Sequence, residues 1–255
     1  MFDQDTLAII FISLMGLSVF LYAVLDGYDL GVGILLPLKD DENSDTMIAS
    51  IGPFWDANET WLVMAVGLLL IAFPSAHSLI LKELYLPAVI MLIGLILRGV
   101  AFDFRAKAAF SHKPTWNKAF KFGSLLAALS QGYMLGMYVM GFEHSLPAYL
   151  FSLLSAFGVA SAYTFIGACW LVMKTEGELQ KNAVYWARIA GRICFIGVFT
   201  VSIINPLISD AVFDKWFSFP YVMLALPLPT ICFIFFIINL KIICHINFMN
   251  DLMIL

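Results

Sequence analysis

LAIIFISLMGLSVFLYAVLDGYDLGVGILL, residues 7–36, decides the fold. No charge interrupts it from Leu7 to Leu25, and a run of that length crosses the hydrocarbon of a bilayer as a helix. Two carboxylates, Asp26 and Asp29, then stand three residues apart before Ile34-Leu35-Leu36 resumes the apolar run. A carboxylate at membrane depth is costly unless it is protonated, paired or hydrated, so it is a functional hypothesis by default. The i, i+3 spacing puts both acids on one helix face. Gly27 and Gly31, four apart and followed by Gly33, allow another helix to come close. The plainer reading is a packing motif whose acids bond neighbouring polar groups.

The whole chain has the same character. Its 255 residues are 62% hydrophobic and 13% charged, with a mean hydropathy of +0.91, which places it among polytopic membrane proteins. The start, Met1-Phe2-Asp3-Gln4-Asp5, is acidic and no small-residue cleavage site follows, so the first segment is expected to be retained as a helix rather than removed as a signal peptide. Further uncharged runs cover 60–81, 84–97 (to 102 if Arg98 lies inside the helix), 122–142, 145–173, 193–209 and 216–240. Membrane strands would be about 10 residues long with alternating polarity. The expectation is therefore all-α: a polytopic bundle of seven transmembrane helices.

Orientation follows from the basic residues. With alternating spans, Lys39, Arg98, Arg105, Lys107, Lys113, Lys118, Lys121, Lys174, Lys181, Arg188, Arg192 and Lys241 fall on one side; only Lys82 and Lys215, of the 14 Lys and Arg, fall opposite. That side is expected to be cytoplasmic, with the N-terminus outside. Asp26 and Asp29 then lie in the inner half of the first span. A second acidic pair, Asp56 and Glu59 in GPFWDANETW (52–61), opens the next span from the same side, with Pro53 suited to a first helical turn.

Asp56 and Glu59 have two readings. Acids complement the positive end of a helix dipole, and Trp55 and Trp61 suit an interface. Alternatively, with Asn58 and the Asp26 pair, they form a functional group. Arg98, in LRGVAFDFR (97–105), has two readings as well: it snorkels to the interface, or it pairs with one of the acids. Asp103 lies beside it near the inner end of the third span. Spacing alone leaves these alternatives open. His77, His112, His144 and His245 show no HxxxH or HxxH spacing, so no haem or metal signature is expected. Cys169, Cys194, Cys232 and Cys244 read as small packing residues. Gly31-Val32-Gly33 is not a nucleotide loop, since no strand precedes it and no GxGxxG follows.

DGYDLGVG (26–33), FWDANETWLV (54–63) and LRGVAFDFR (97–105), in that order and at those separations, resemble subunit II of the cytochrome bd-type quinol oxidases. Asn58-Glu59-Thr60 and Arg98-Gly99-Val100-Ala101-Phe102 are most similar to the cyanide-insensitive branch, and Thr175-Glu176-Gly177-Glu178-Leu179 resembles the loop after the family's fifth helix. The resemblance implies a multi-pass subunit of a bacterial inner-membrane heterodimer in the respiratory chain, which oxidises quinol and reduces dioxygen to water. It implies that haem b and haem d, or haem b alone, and the quinol site belong to a partner subunit I. This chain would ligate no haem and have no activity alone. A small single-helix accessory subunit and membrane lipid are further partners it allows, and no nucleic acid is expected. The residues matching the family's cytoplasmic proton path are Asp26 and Asp56, with Asp29, Glu59 and Arg98 as neighbours and Arg98 and Asp103 as charge-pair candidates.

Family members have eight spans. Residues 1–240 are thus expected to form the subunit II domain and 241–255 an atypical tail, as in a truncated or frameshifted gene. The competing function is a proton- or ion-coupled secondary transporter, which would also carry carboxylates in its helices, although no inverted repeat is evident. A light-driven pump would need a lysine in the last span, and 216–240 has none.

Overall fold

The computed structural model describes residues 3–39, 42–107, 112–208 and 210–219, with isolated positions at 222, 230, 231, 234, 237 and 238. The span expected at 216–240 lies mostly outside the described residues. The tail 241–255, with Lys241, Cys244 and His245, lies wholly outside them, as does Cys232.

Among the described residues every regular element is helical: α1 (Gln4–Leu35), α2 (Glu42–Ile51), α3 (Trp55–Ala72), α4 (Pro74–Lys107), α5 (Lys113–Val139), α6 (Leu146–Lys174), α7 (Gly177–Ile208) and α8 (Asp210–Phe217). Long helices satisfy their backbone polar groups internally, which hydrocarbon surroundings demand. Five of them, α1, α3, α4, α6 and α7, are long and apolar enough to cross a membrane. Of the seven expected spans, the one at 216–240 lies mostly outside the described residues. The run at 122–142 falls in α5, which is 27 residues long, but its hydropathy is diluted by Gly123, Ser124, Ser130, Gln131, Gly132 and Gly136. The chain divides into two compact units, residues 1–128 and 129–255.

Three boundaries differ from the expected ones, each for a local reason. The break between the second and third spans falls at Phe73, not beside Lys82. Pro74 lacks an N–H and suits a first helical turn, so α4 starts there and runs through Lys82 and Glu83 to Lys107. At 34 residues and 1.5 Å each it is about 51 Å long. Residues 42–51, between the first two expected spans, form α2, which buries Met47, Ile48 and Ile51. The stretch 177–192, which lies between the expected spans 145–173 and 193–209, is the first half of α7. Leu179, Ala183, Ala187 and Ala190 recur at helical spacing and are buried, while Lys181, Tyr185 and Arg192 lie away from that face.

In the first unit, α1 packs along α3, and α4 meets α5 almost backbone to backbone. A Cβ on Gly94 would sit 2.8 Å from the Gly123 carbonyl, so neither position admits a side chain. In the second unit α6 packs along α7. There Gly132 and Gly136 of α5 lie against Ser155, Ala156 and Ser152 of α6, and Tyr163 donates to Gln131 Oε1 at 2.8 Å. A left-handed turn closes α5. Gly141 and Phe142 have φ of 65° and 62°, and their N–H groups reach back to Tyr138 and Met137. Ser145 then caps α6 by accepting from the Ala148 N–H.

Candidate functional site

α1 changes character along its length. Ile9, Ile12, Leu17, Val19, Phe20 and Val24 are exposed, whereas every residue from Asp26 to Gly33 is buried. A helix buried on all sides is enclosed by neighbours, and here α3, α4 and α5 supply them. A Cβ on Gly33 would collide with Ser124 and Phe120 of α5. The two carboxylates of α1 are therefore held inside protein, each with no solvent exposure.

α4 brings the counter-charge. Its buried face repeats every seven residues, with Leu84, Met91, Arg98 and Arg105 on it, so two arginines occupy positions an apolar helix gives to packing residues. Arg98 is 1% exposed. Its Nη2 donates to Asp26 Oδ1 at 2.7 Å and also to Glu59 Oε1 on α3. The Trp55 ring stands 5.9 Å from the guanidinium carbon and is backed by Phe102. Asp26 and Glu59 thus share one guanidinium nitrogen. Burial of an ion pair is tolerable only with such partners, since removing them leaves an uncompensated charge.

Beside this triad lies a second network. Asn58, buried on α3, donates through Nδ2 to Asp29 Oδ2 at 2.8 Å and to the Tyr28 hydroxyl at 2.9 Å, with the Leu25 carbonyl at 3.4 Å. Asp26 Oδ2, Asp29 Oδ1 and Arg98 Nε and Nη1 are buried and find no hydrogen-bond partner among the described residues. Buried polar atoms without protein partners are unusual, and each calls for a partner such as water, an ion or a proton. The cluster therefore holds three carboxyl groups, Asp26, Asp29 and Glu59, against one guanidinium.

The structure thus brings Asp26, Asp29, Glu59 and Arg98 together. Asp56 stands apart from them: it is exposed in the first turn of α3, one helical turn ahead of Glu59, whose side chain is 27% exposed. Asp103 is exposed on α4 and is not the partner of Arg98. The reason is angular: five residues of helix turn Asp103 well away from the Arg98 face.

A further polar group escaped the reading of the sequence. Arg105, buried, donates through Nε to Asn117 Oδ1 at 2.5 Å and through Nη1 to Asp45 Oδ1 at 2.7 Å, and Lys113 lies 3.3 Å from Asp45 Oδ2. Asn117 and Ser44 both donate to the Lys39 carbonyl, and Lys121 donates to the Leu36 carbonyl, tying down the connection after α1. Burial opposes the charge on Asp45, but the Arg105 guanidinium and the Lys113 ammonium outweigh it and hold its carboxyl below the ordinary value. The seven-residue spacing of Arg98 and Arg105 was the available signal for this group. Among the described residues no set of three His, Cys, Asp or Glu side chains converges as a metal site.

Residues 7–250 match the model of the family described as cytochrome bd terminal oxidase subunit II. The chain is similar to the cytochrome bd-I ubiquinol oxidase subunit 2 of Escherichia coli (strain K12), at 30% identity over 213 residues, which are 77% of this chain and 56% of that protein. It is 28% identical over 199 residues to the cytochrome bd ubiquinol oxidase subunit 2 of Bacillus subtilis (strain 168), covering 73% of this chain and 59% of the relative. A probable cytochrome oxidase subunit 2 of Haemophilus influenzae is 30% identical over 216 residues, covering 77% and 56%. The chain spans a little over half the length of these relatives. The family match takes in both the α1 carboxylates and the α4 arginines, and on it the chain belongs to the cytochrome bd terminal oxidase subunit II family.

Proposed function

We propose that this chain serves as subunit II of a quinol:oxygen oxidoreductase, and that its buried acid cluster hands protons to the oxygen-reducing site of a haem-bearing subunit I. The observation that carries this is the charge count of the cluster: three neighbouring carboxyls, Asp26 and Asp29 fully buried and Glu59 half-buried, stand against one guanidinium, which hydrogen-bonds Asp26 and Glu59. In a low-dielectric interior the surplus negative charge is costly, and protons are the smallest groups that neutralise it. Family membership favours this reading over the ion-coupled transporter.

In this reading Asp56, exposed in the first turn of α3, collects protons from the aqueous phase, where the helix dipole stabilises its carboxylate. Glu59, half-buried one turn on, receives them, and Asp26 and Asp29 lie deeper. Arg98 keeps Glu59 and Asp26 within reach of one nitrogen. Water bridges the gaps that exceed a hydrogen bond.

Haem b with haem d, or haem b alone, and the quinol belong to subunit I in this scheme, together with the quinol-oxidising loop. A small single-helix subunit and lipid complete the complex. The setting is the bacterial inner membrane, with the N-terminus outside and the basic side cytoplasmic; residues 1–240 act as the membrane domain and 241–255 lie beyond it. Cysteine labelling at positions 113 and 181 tests the sidedness, and reaction from the outer side at both overturns it.

The decisive experiment is Asp56→Asn in the assembled, haem-containing complex. Oxygen consumption is expected to fall by about 10-fold or more, in line with the loss of a positioned proton-transfer group. Asp56→Glu should recover part of the rate. A helix-capping role predicts the opposite for Asn, which caps about as well as Asp. A full rate in Asp56→Asn therefore removes Asp56 from the path.

A further inference from the structure

Asn58 cannot carry a proton as an acid, yet it is buried at the centre of the cluster with its amide nitrogen facing three oxygens. That nitrogen has two hydrogens. The two short contacts, Asp29 Oδ2 at 2.8 Å and the Tyr28 hydroxyl at 2.9 Å, take both, and the Leu25 carbonyl at 3.4 Å is left as a weak third acceptor. Tyr28 and Asp29 are consecutive on α1, so their side chains leave the helix about 100° apart. One amide on α3 nevertheless binds both. The two oxygens of Asp29 are thereby made unequal: Oδ2 accepts from Asn58, and Oδ1, equally enclosed, has no partner among the described residues.

We infer that Asn58 is a positioning residue for Asp29, holding Oδ2 so that Oδ1 alone takes up and releases the proton. The O–H bond forms at Oδ1 with a proton supplied by water, and its rupture returns the proton to water and leaves the carboxylate, with Asn58 donating to Oδ2 throughout. The charged groups facing Asp29 are Asp26 on its own helix, Glu59 on α3 and Arg98 on α4. None of them hydrogen-bonds Asp29, so Asn58 is the group that makes its oxygens unequal. The inference rests on the proton-handling reading above, but it adds a residue and an atom that reading does not need.

The test is infrared difference spectroscopy of the full chain in its membrane complex, taken across a pH titration. The band followed is the carbonyl stretch of a protonated carboxylic acid, which Asp29→Asn must abolish. Asn58→Leu keeps the volume and removes the donor. With the two oxygens made equivalent, the Asp29 band should shift and broaden into two populations. Should Asn58→Leu fail to assemble, Tyr28→Phe supplies a milder probe: it frees one amide hydrogen to turn toward the Leu25 carbonyl, which re-aims the hydrogen on Oδ2 and should shift the band while leaving it single. An unchanged Asp29 band in either assembled variant, or the absence of any band that Asp29→Asn removes, overturns the inference. Oxygen consumption is not the readout, so loss of the oxidase reading and loss of this one remain distinguishable.

Discussion

Arg98 and Arg105 lie seven residues apart on one face of α4, both buried, yet they are partnered in opposite ways. Arg98 faces an excess of acid: Asp26, Glu59 and, one network away, Asp29. Arg105 faces one half-exposed acid, Asp45, which it shares with Lys113, and a neutral amide, Asn117. The first group is largely buried and carries surplus negative charge; the second is partly exposed at Asp45 and carries surplus positive charge. On the proposed function, the difference separates a group that stores protons from one that clamps chain segments. A clamp at an exposed position leaves its surplus charge to water, whereas surplus buried carboxylates are relieved by taking up protons.

The comparison breaks most sharply at Arg98. Arg98→Met leaves Asp26 buried without its partner, and removing one member of a buried pair costs about 3–5 kcal/mol. Thermal unfolding of the purified complex should show it, or the variant should fail to accumulate. A melting temperature within a degree or so of the wild type would mean that the pair is not what holds α1, α3 and α4 together.

Arg105→Met should cost less. Asp45 can turn to water, because its side chain is 48% exposed, and the main loss is the donor to the buried Asn117 oxygen. An unsatisfied buried acceptor costs about 1–3 kcal/mol. The same melting assay should therefore rank Arg105→Met well behind Arg98→Met, and a reversed order would undo the contrast between the two sites.

The smallest effect is expected at Asp45. Asp45→Asn should cost less than about 1 kcal/mol, as exposed pairs do. Its folded carboxyl titrates below the ordinary value, so the stabilisation is complete above the unfolded value near 4 and is lost as pH falls through the lowered folded one. The melting difference between wild type and Asp45→Asn should thus persist at neutral pH, shrink under acid conditions and shrink with added salt. A difference that grows in acid would contradict the assigned ion pair.

Much of the fold was legible beforehand, because bilayer thickness and backbone hydrogen bonding leave uncharged runs of this length one outcome. The acids were legible for a related reason: Asp26 and Asp29 stand out where charge is expensive. Helix ends were less so. Phe73–Pro74 ends a helix by backbone chemistry that hydropathy does not register, and the first half of α7 is polar enough along one face to pass for a loop.

The sequence by itself determined that the chain is helical and membrane-crossing, and that carboxylates and an arginine lie within its apolar segments, since each follows from local composition and spacing. Only the tertiary structure decided which acid meets which base. Arg98 had Asp26, Glu59 and Asp103 within reach on paper, and it binds the first two because α1 and α3 face its side of α4 while Asp103 is turned away. It also decided that Asn58 joins Tyr28 to Asp29, and that Asp45, Arg105 and Asn117 form a clamp. Apart from Arg105 and Asn117, which are 12 residues apart, these pairs are separated by 29 to 72 residues in the chain. Their meeting depends on how the helices are rotated and packed, and no single helix carries that information.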